Sequence, residues 1–296
     1  MNILTLNPTL PQFNFWSPYV VLKRFQLPSS AKHVFNGGEV HLNLQDNLDD
    51  WDKEEELVIQ HRLSDSDKIM EVLLAVNALR EMRFKKLSLF MPYVMYARQD
   101  RVVDHGEPFS LKAFANLINF LNFENVYMVD PHSSVTTGAI NNYVVIPHKR
   151  NVEEAITEYK PDYLIAPDEG AVKKTLDLSL ATRVPFITAA KVRDLKNRGK
   201  VIGTTVHSTV DVVVGKRIFI TDDICDGGAT FIELAKVLRE MGAASVGLFV
   251  TFGIFSKGLE VLYKHIDFIS TTNGFRDYPE ATNLDASKFL VTNINL

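Results

Sequence analysis

One stretch limits what this chain can become more than any other: residues 218–231, IFITDDICDGGATF. Ile218, Phe219 and Ile220 form a short apolar run suited to a strand buried on both faces of a parallel sheet. Asp222 and Asp223 follow at once. Then come Asp226, Gly227, Gly228, Ala229 and Thr230, small residues that let backbone N–H groups approach an anion. A helical period starts directly after, with Phe231, Leu234, Ala235, Leu238 and Met241 on one face and Gly242 ending it. In that order, strand, acid pair, glycine turn and helix present amide donors and a positive dipole end to a phosphate. The acid pair suits sugar hydroxyls or the hydration shell of a magnesium ion. A plain strand-to-helix turn needs only glycine and a cap such as Asp226 or Thr230. It does not need an apolar run ending in paired carboxylates, so the stretch reads as a pocket for a phosphorylated ribose.

The rest of the chain frames that pocket. Apolar runs at 57–59, 87–91, 126–129, 163–166, 186–189, 210–214, 246–251 and 268–271 read as strands. Helical periods cover 67–82, 110–121, 152–159 and 170–180. Such alternation means βαβ units and mainly parallel sheets. Asp130, Asp168 and Asp222 each follow a strand, and ligands of open α/β sheets bind at those carboxyl ends. Residues 34–39, VFNGGE, suggest a hairpin with a Gly-Gly bend. Residues 46–56 are acidic and read as a solvated loop; 93–108 are polar and aperiodic. Residues 191–200, KVRDLKNRGK, are basic and contain glycine, so a mobile loop is expected there. A weak boundary near 145–150 divides the chain into 1–147 and 148–296.

Composition narrows the class. With 296 residues, 46% of them hydrophobic, the chain can bury one large core or two moderate ones. A net charge of −4 gives no support to non-specific nucleic-acid binding. The single cysteine, Cys225, allows no internal disulfide and suits a reducing compartment. No apolar run is long enough to span a membrane, and the N-terminus lacks the basic region and apolar core of a signal peptide. The expectation is a soluble cytoplasmic protein that binds small molecules, and neither nucleic acid nor membrane.

Residues 222–230, DDICDGGAT, resemble the phosphoribosyl-pyrophosphate (PRPP) motif of two acids, two apolar residues and Asp-Thr-Gly-Gly-Thr. With it, Tyr96, Ala97, Arg98, Gln99, Asp100 and Arg101 match the Tyr-Ala-Arg-Gln-Asp-Arg of the ribose-phosphate pyrophosphokinases, the PRPP synthetases. Val129-Asp130-Pro131-His132 resembles that family's Val-Asp-Leu-His, and Ala166-Pro167-Asp168-Glu169-Gly170-Ala171 its Ser-Pro-Asp-x-Gly-Gly. Ile254-Phe255-Ser256 and Thr272-Asn273 match later segments, so the resemblance covers nearly the whole chain.

The resemblance implies an α/β fold of two type I phosphoribosyltransferase-like domains, each a mainly parallel sheet flanked by helices. The last segment would pack back on the first domain. It implies transfer of the β,γ-diphosphate of ATP to the anomeric 1-hydroxyl of ribose 5-phosphate, releasing AMP, with Mg²⁺ as cofactor. Attack at the β-phosphorus builds charge on phosphoryl oxygens, so cations and fixed donors matter more than a strong base. By resemblance Lys191 and Arg193 are catalytic. Phe35, Glu39, Arg98, Gln99, Asp100, Arg101 and His132 bind ATP. Asp168, Asp222, Asp223, Asp226, Gly227, Gly228, Ala229 and Thr230 bind the ribose phosphate, and His132 and Asp168 contact the metal. A homo-oligomer built from dimers, as large as a hexamer, is implied as well.

The departures from the family pattern cluster. Gly227 stands where the first Thr of the phosphate loop is usual, and Gly37 where an Asp is usual between Phe35 and Glu39. Ser133-Ser134-Val135-Thr136-Thr137-Gly138 replaces a more polar segment, Ala171 replaces a Gly, and the acidic 46–56 replaces a stretch with allosteric contacts in many relatives. Catalytic parts are kept while acceptor and regulatory parts are altered. Two acceptors therefore stand side by side: ribose 5-phosphate, giving PRPP, or ADP-ribose, giving ADP-ribose pyrophosphate. Enzymes with the second activity that resemble PRPP synthetases serve NAD-rebuilding pathways of bacteriophages. A phosphoribosyltransferase would not need residues 98–101, and an inactive regulatory homologue would not need Lys191, Arg193, Asp168 and His132.

Overall fold

Parallel strands must be covered on both faces, and the strand segments of this chain are apolar on consecutive residues for that reason. The computed structural model describes residues 2–6, 24–28, 31–44, 48–194, 200–279 and 288–294. The chain divides into two units: Met1–Pro147 with Gly274–Asp277 and Ile294–Leu296, and His148–Asn273 with Tyr278–Asn293.

Unit 1 carries strands β1 (Asn2–Thr5), β2 (Arg24–Gln26), β3 (Lys32–Val34), β4 (Val40–Leu42), β5 (Glu56–Gln60), β6 (Lys86–Phe90), β7 (Val126–Val129) and β8 (Tyr143–Ile146). Its helices are α1 (Ser66–Glu81), α2 (Ser110–Phe120) and α3 (Ser134–Ala139). Six strands form one sheet in the order β2-β1-β5-β6-β7-β8, and each described pairing in it is parallel. β3 and β4 form a separate antiparallel hairpin. Helix α1 begins where the Asp65 side chain accepts from the Lys68 N–H, and it buries Val72, Ala75, Val76 and Leu79. These residues pack with Leu57, Ile59 and Leu89 of the sheet and with Leu111, Phe114 and Ile118 of α2.

Unit 2 carries β9 (Tyr163–Ala166), β10 (Phe186–Asp194), β11 (Lys200–His207), β12 (Arg217–Cys225), β13 (Ser245–Gly253), β14 (Phe268–Thr272) and β15 (Phe289–Thr292). Its helices are α4 (Lys149–Tyr159), α5 (Val172–Thr182), α6 (Val210–Val213), α7 (Ala229–Glu240) and α8 (Glu260–Tyr263). The sheet order is β11-β10-β9-β12-β13-β14-β15, parallel except at β10 and β11. Ile218 and Ile220 of β12 join Phe231, Leu234 and Leu238 of α7 in one core. Phe219 belongs to another, with Val152, Ala155 and Tyr159 of α4. The Tyr159 ring stacks on Phe219 and Phe268, with centroids 5.1 and 5.3 Å away. Gly247 is needed beneath it, because a Cβ there would lie 2.7 Å from Phe219 and 2.9 Å from Tyr159.

Three expectations need correction. Residues 210–214 are not a strand: Val210–Val213 is a helical turn that buries only Val213. Valine favours strands only where a neighbouring edge and a covered face exist. The basic stretch at 191–200 is not a loop throughout, since Lys191 to Asp194 complete β10 and Lys200 begins β11. Runs of β-branched residues on both arms, Ile187-Thr188 and Val201-Ile202 with Thr204-Thr205-Val206, favour pairing over the mobility suggested by charge. The acidic 46–56 segment is not simply solvated, because Leu48 and Trp51 are buried in the core of unit 1. Residues 45–47 lie outside the described set. Among the described residues no helix is long and apolar enough to cross a membrane.

Candidate functional site

Strand order decides which loops meet. In unit 2, β9 lies between β10 and β12, and β13 lies beside β12. Parallel neighbours bring their carboxyl ends to one edge. Asp168 follows β9 with extended backbone, and its Oδ1 accepts from the Gly170 N–H at 3.1 Å. Its Oδ2 accepts from Lys191 Nζ at 2.7 Å. Lys191 reaches it because β10 pairs with β9 only through Thr188. Beyond that point β10 continues with β11 as an antiparallel ribbon, in which Lys191 faces Thr204. The register shifts between Val192 and Arg193, and Arg193 then faces Val201. Residues 195–199 of the expected loop lie outside the described residues.

The acid pair belongs to β12 itself, which runs on to Cys225 rather than stopping at Ile220. The two carboxyl groups are neighbours on that strand and act directly on each other. Thr221 Oγ1 and Thr175 Oγ1 of α5 are 3.2 Å apart, and Lys174 Nζ lies 3.7 Å from Asp223 Oδ2. Asp222 Oδ1 accepts from the Asp223 N–H at 2.9 Å. Burial, followed by the negative charges of Asp223 and Asp168, pushes the Asp222 carboxyl up to about 8. Among the described residues no ion pair involves Asp222, while Lys191 is held by Asp168 and Lys174 lies near Asp223. Three carboxyl groups thus crowd this edge, two of them beside lysines and one keeping its proton at neutral pH. Among the described residues no three His, Cys, Asp or Glu side chains form a protein-built metal cage. Mg²⁺ binds through one or two carboxylates, waters and substrate phosphates, and a partly compensated acid cluster is a donor set that fits it.

The glycine turn follows. Gly228 has φ +77°, and a Cβ on it would stand 2.5 Å from Leu262 Cδ2. Helix α7 starts at Ala229, and its first intrahelical bond runs from the Ile232 N–H to the Gly228 carbonyl, 2.9 Å. The amides of Ala229, Thr230 and Phe231 therefore have no acceptor inside the helix. The loop after β13 is tied to this turn. The Ile254 and Phe255 N–H groups donate to the Cys225 carbonyl at 2.9 and 3.1 Å, and the Ser256 N–H donates to the Asp226 carbonyl at 3.2 Å. Lys257 follows, and its side chain runs along Gly227, 3.3 to 3.6 Å from where a Cβ would stand.

Unit 1 holds the remaining expected site residues. The turn after β6 takes Tyr96 to φ +61°, and the Gln99 N–H donates to the Tyr96 carbonyl at 2.9 Å. Arg98, Gln99 and Arg101 are exposed. Asp100 Oδ2 accepts from Ser133 Oγ at 2.8 Å, which joins this stretch to the residue after the exposed His132. Buried Asp130 occupies φ +40° just before it. Phe35 and Glu39 sit at the turn of the β3–β4 hairpin, where the Phe35 N–H donates to the Glu39 carbonyl at 2.9 Å. The Phe35 ring is 49% exposed and meets His33 edge-on, centroids 4.9 Å apart.

Two features escaped the sequence reading. One is a buried anchor for the hairpin: Lys32 pairs with Glu71, which also binds Lys68 at 2.9 Å and His61 Nε2 at 2.9 Å. Burial alone would raise the Glu71 carboxyl, but hydrogen bonds from His61, Lys32 and Lys68 outweigh it and hold it at about 2. Glu71 shares a helical face with buried Ala75 and Leu79, so its burial was readable from spacing. The other is Lys257, whose signal was its place in the loop of the strand adjacent to β12.

The comparisons with known proteins follow the same division. Residues 22–121 match the N-terminal domain of ribose phosphate pyrophosphokinase, and residues 145–280 match a phosphoribosyl transferase domain. The ribose-phosphate pyrophosphokinase of Pyrococcus abyssi is 32% identical over 270 residues, spanning 84% of this chain and 91% of that one. That of Thermococcus kodakarensis is 32% identical over 244 residues, 81% and 83% of the two chains. A phosphoribosylpyrophosphate synthetase from Mycobacterium smegmatis has the same fold, with a TM-score of 0.73 at 22% identity over 88% of this chain and 85% of that one. Two α/β domains, matched in order and carrying the loops described above, make this chain a member of the ribose-phosphate pyrophosphokinase family.

Proposed function

We propose that the protein transfers the β,γ-diphosphate of ATP to the anomeric hydroxyl of a ribose 5-phosphate moiety and releases AMP. The observation that carries this reading is the convergence of Asp168, Lys191, Asp222, Asp223 and the amide-rich turn 226–230 on one sheet edge. In the reaction the anomeric oxygen forms a bond to the β-phosphorus. The bond from that phosphorus to the α–β bridging oxygen breaks, the electron pair leaves with AMP, and the hydroxyl proton passes to solvent.

Each residue has a task in this scheme. The amides of Ala229, Thr230 and Phe231 and the dipole of α7 take the 5′-phosphate. Asp222 and Asp223 accept from ribose hydroxyls. Lys191 and Arg193 stabilise charge on the transferring phosphoryl oxygens. Lys191 is stored on Asp168 at 2.7 Å until that carboxylate is engaged elsewhere. Arg98, Gln99 and Arg101 grip the triphosphate, with Asp100 bracing their turn through Ser133. Phe35 and Glu39 meet the adenine, and His132 approaches the phosphates. Mg²⁺ would be held through Asp168 and would neutralise phosphoryl oxygen charge. One observation favours ADP-ribose as a second acceptor: Gly227 carries no hydroxyl for a terminal phosphate, and a lysine lies beside it.

Phosphorus NMR tests the scheme. ATP with Mg²⁺ is expected to yield AMP only when ribose 5-phosphate or ADP-ribose is added. ADP as product would mean transfer of the γ-phosphoryl group and would overturn the mechanism.

A further inference from the structure

We infer that Lys257 is a specificity-determining residue of the acceptor site, replacing the missing hydroxyl at position 227 and favouring acceptors whose 5′-phosphate continues into a second phosphate. This rests on the reading of residues 226–230 as the acceptor's phosphate turn. The backbone leading to Lys257 is anchored to the turn. Three backbone hydrogen bonds hold residues 254–256 on Cys225 and Asp226. Phe255, at φ +48°, is buried against Tyr278 and Phe289, with ring centroids 6.0 and 6.4 Å away. Two residues beyond that anchor, the Lys257 stem has a groove to lie in, and bare Gly227 supplies it.

The contact distances make the two positions one device. A Cβ on Gly227 would stand 3.3 Å from Cε, 3.4 Å from Cδ and 3.6 Å from Cγ of Lys257. A threonine at 227 and this path of the lysine therefore compete for one space. The stem comes nearest the glycine at Cε, so the ammonium one bond further on is carried beside the turn. Among the described residues Lys257 has no ion-pair partner, and it is exposed. An ammonium on a flexible stem is a point charge that follows an anion without fixed geometry. A hydroxyl held at 227 would instead fit the oxygen of a terminal monophosphate. The chemistry selected is a ribose 5′-diphosphate ester, of which ADP-ribose is the available probe.

The test uses Lys257→Met, which keeps the apolar stem and removes the charge. A hydrogen bond to a charged group corresponds to about ten- to hundred-fold in affinity. The variant is expected to lose about that factor in kcat/KM for ADP-ribose, with the KM for ATP and the melting temperature unchanged. The double variant Gly227→Thr with Lys257→Gly is expected to turn the preference toward ribose 5-phosphate. Calorimetric binding of ADP-ribose reads the same contact without turnover. The inference is overturned if Lys257→Met leaves ADP-ribose binding within about twofold of the wild type, or weakens use of both acceptors equally. AMP release with ribose 5-phosphate alone, and no ADP-ribose binding, also overturns it while leaving the proposed reaction intact. Lysine-dependent ADP-ribose binding without AMP release would sink the reaction and uphold Lys257.

Discussion

Replacing Asp222 by Asn should make the ligand-free protein more stable at neutral and alkaline pH while removing its use of acceptor. The Asp222 carboxyl is moved from its ordinary 3.8 to about 8 by burial, by Asp223 on the same strand and by Asp168 after β9. At 1.36 kcal/mol per pKa unit, that shift corresponds to at most about 6 kcal/mol. Relaxation and water access around a half-buried carboxylate reduce this to about 2–4 kcal/mol. The sign follows from proton linkage. Below about pH 4 both folded and unfolded chains carry the proton, so no penalty acts. Between about 4 and 8 the unfolded chain releases it while the folded chain keeps it, and stability falls as pH rises. Above about 8 the loss is complete. Asparagine copies the protonated form and can keep the 2.9 Å acceptance from the Asp223 N–H. Urea unfolding of wild type and variant at pH 5, 7 and 9 measures the difference, which should open by about 2–4 kcal/mol across that range. Parallel stability curves would mean that Asp222 titrates normally, and the argument from crowded carboxylates would fail. The accompanying fall in kcat/KM for the acceptor would show that the repulsion is retained for binding.

Three further outcomes are expected. Lys191→Ala should lower kcat by about a hundred- to a thousand-fold; its pair with Asp168 is partly solvated, so the melting temperature should barely move, and a change in KM alone would remove its assigned role. Gly228→Ala combines a left-handed backbone cost of about 1–2 kcal/mol with overpacking against Leu262 of about 1–3 kcal/mol, so urea unfolding should report a loss of about 2–5 kcal/mol. Glu71→Gln should flatten the acid limb of stability. Glu71 is held at about 2 against an ordinary 4.5, so its contribution is present above about pH 4.5 and lost as pH falls through about 2, a loss absent from the variant in acid unfolding curves.

The loops that make this site were legible to different degrees. The acid pair, the glycine turn and helix α7 are contiguous in the chain, so local rules sufficed: an apolar run, small residues, then a 3.6-residue period. Charge misled where pairing decided. Lys191 sits on a strand because β-branched residues on two separate arms find each other, which no count of lysines reveals. Val210–Val213 shows the reverse, since a run of valines makes a helical turn and pairs with no strand. Glu71 was hidden by its helix. Its period was read for apolar residues, although a carboxylate on the buried face needed Lys32, Lys68 and His61 from three segments to satisfy it.

Sequence alone determined the local features of this protein: a glycine turn at 226–230, a doubled acid before it, and a bare glycine where a hydroxyl is usual. Those features depend on residue type and spacing within a dozen residues, where backbone geometry is set by near neighbours. Only the tertiary structure decided what surrounds them. The order of parallel strands brought Asp168 and Lys191 to the acid pair, and it laid Lys257 along Gly227. Residues far apart in the chain meet there because the central strands must bury both faces and pair both edges. That requirement acts on the whole sheet and cannot be read from one segment.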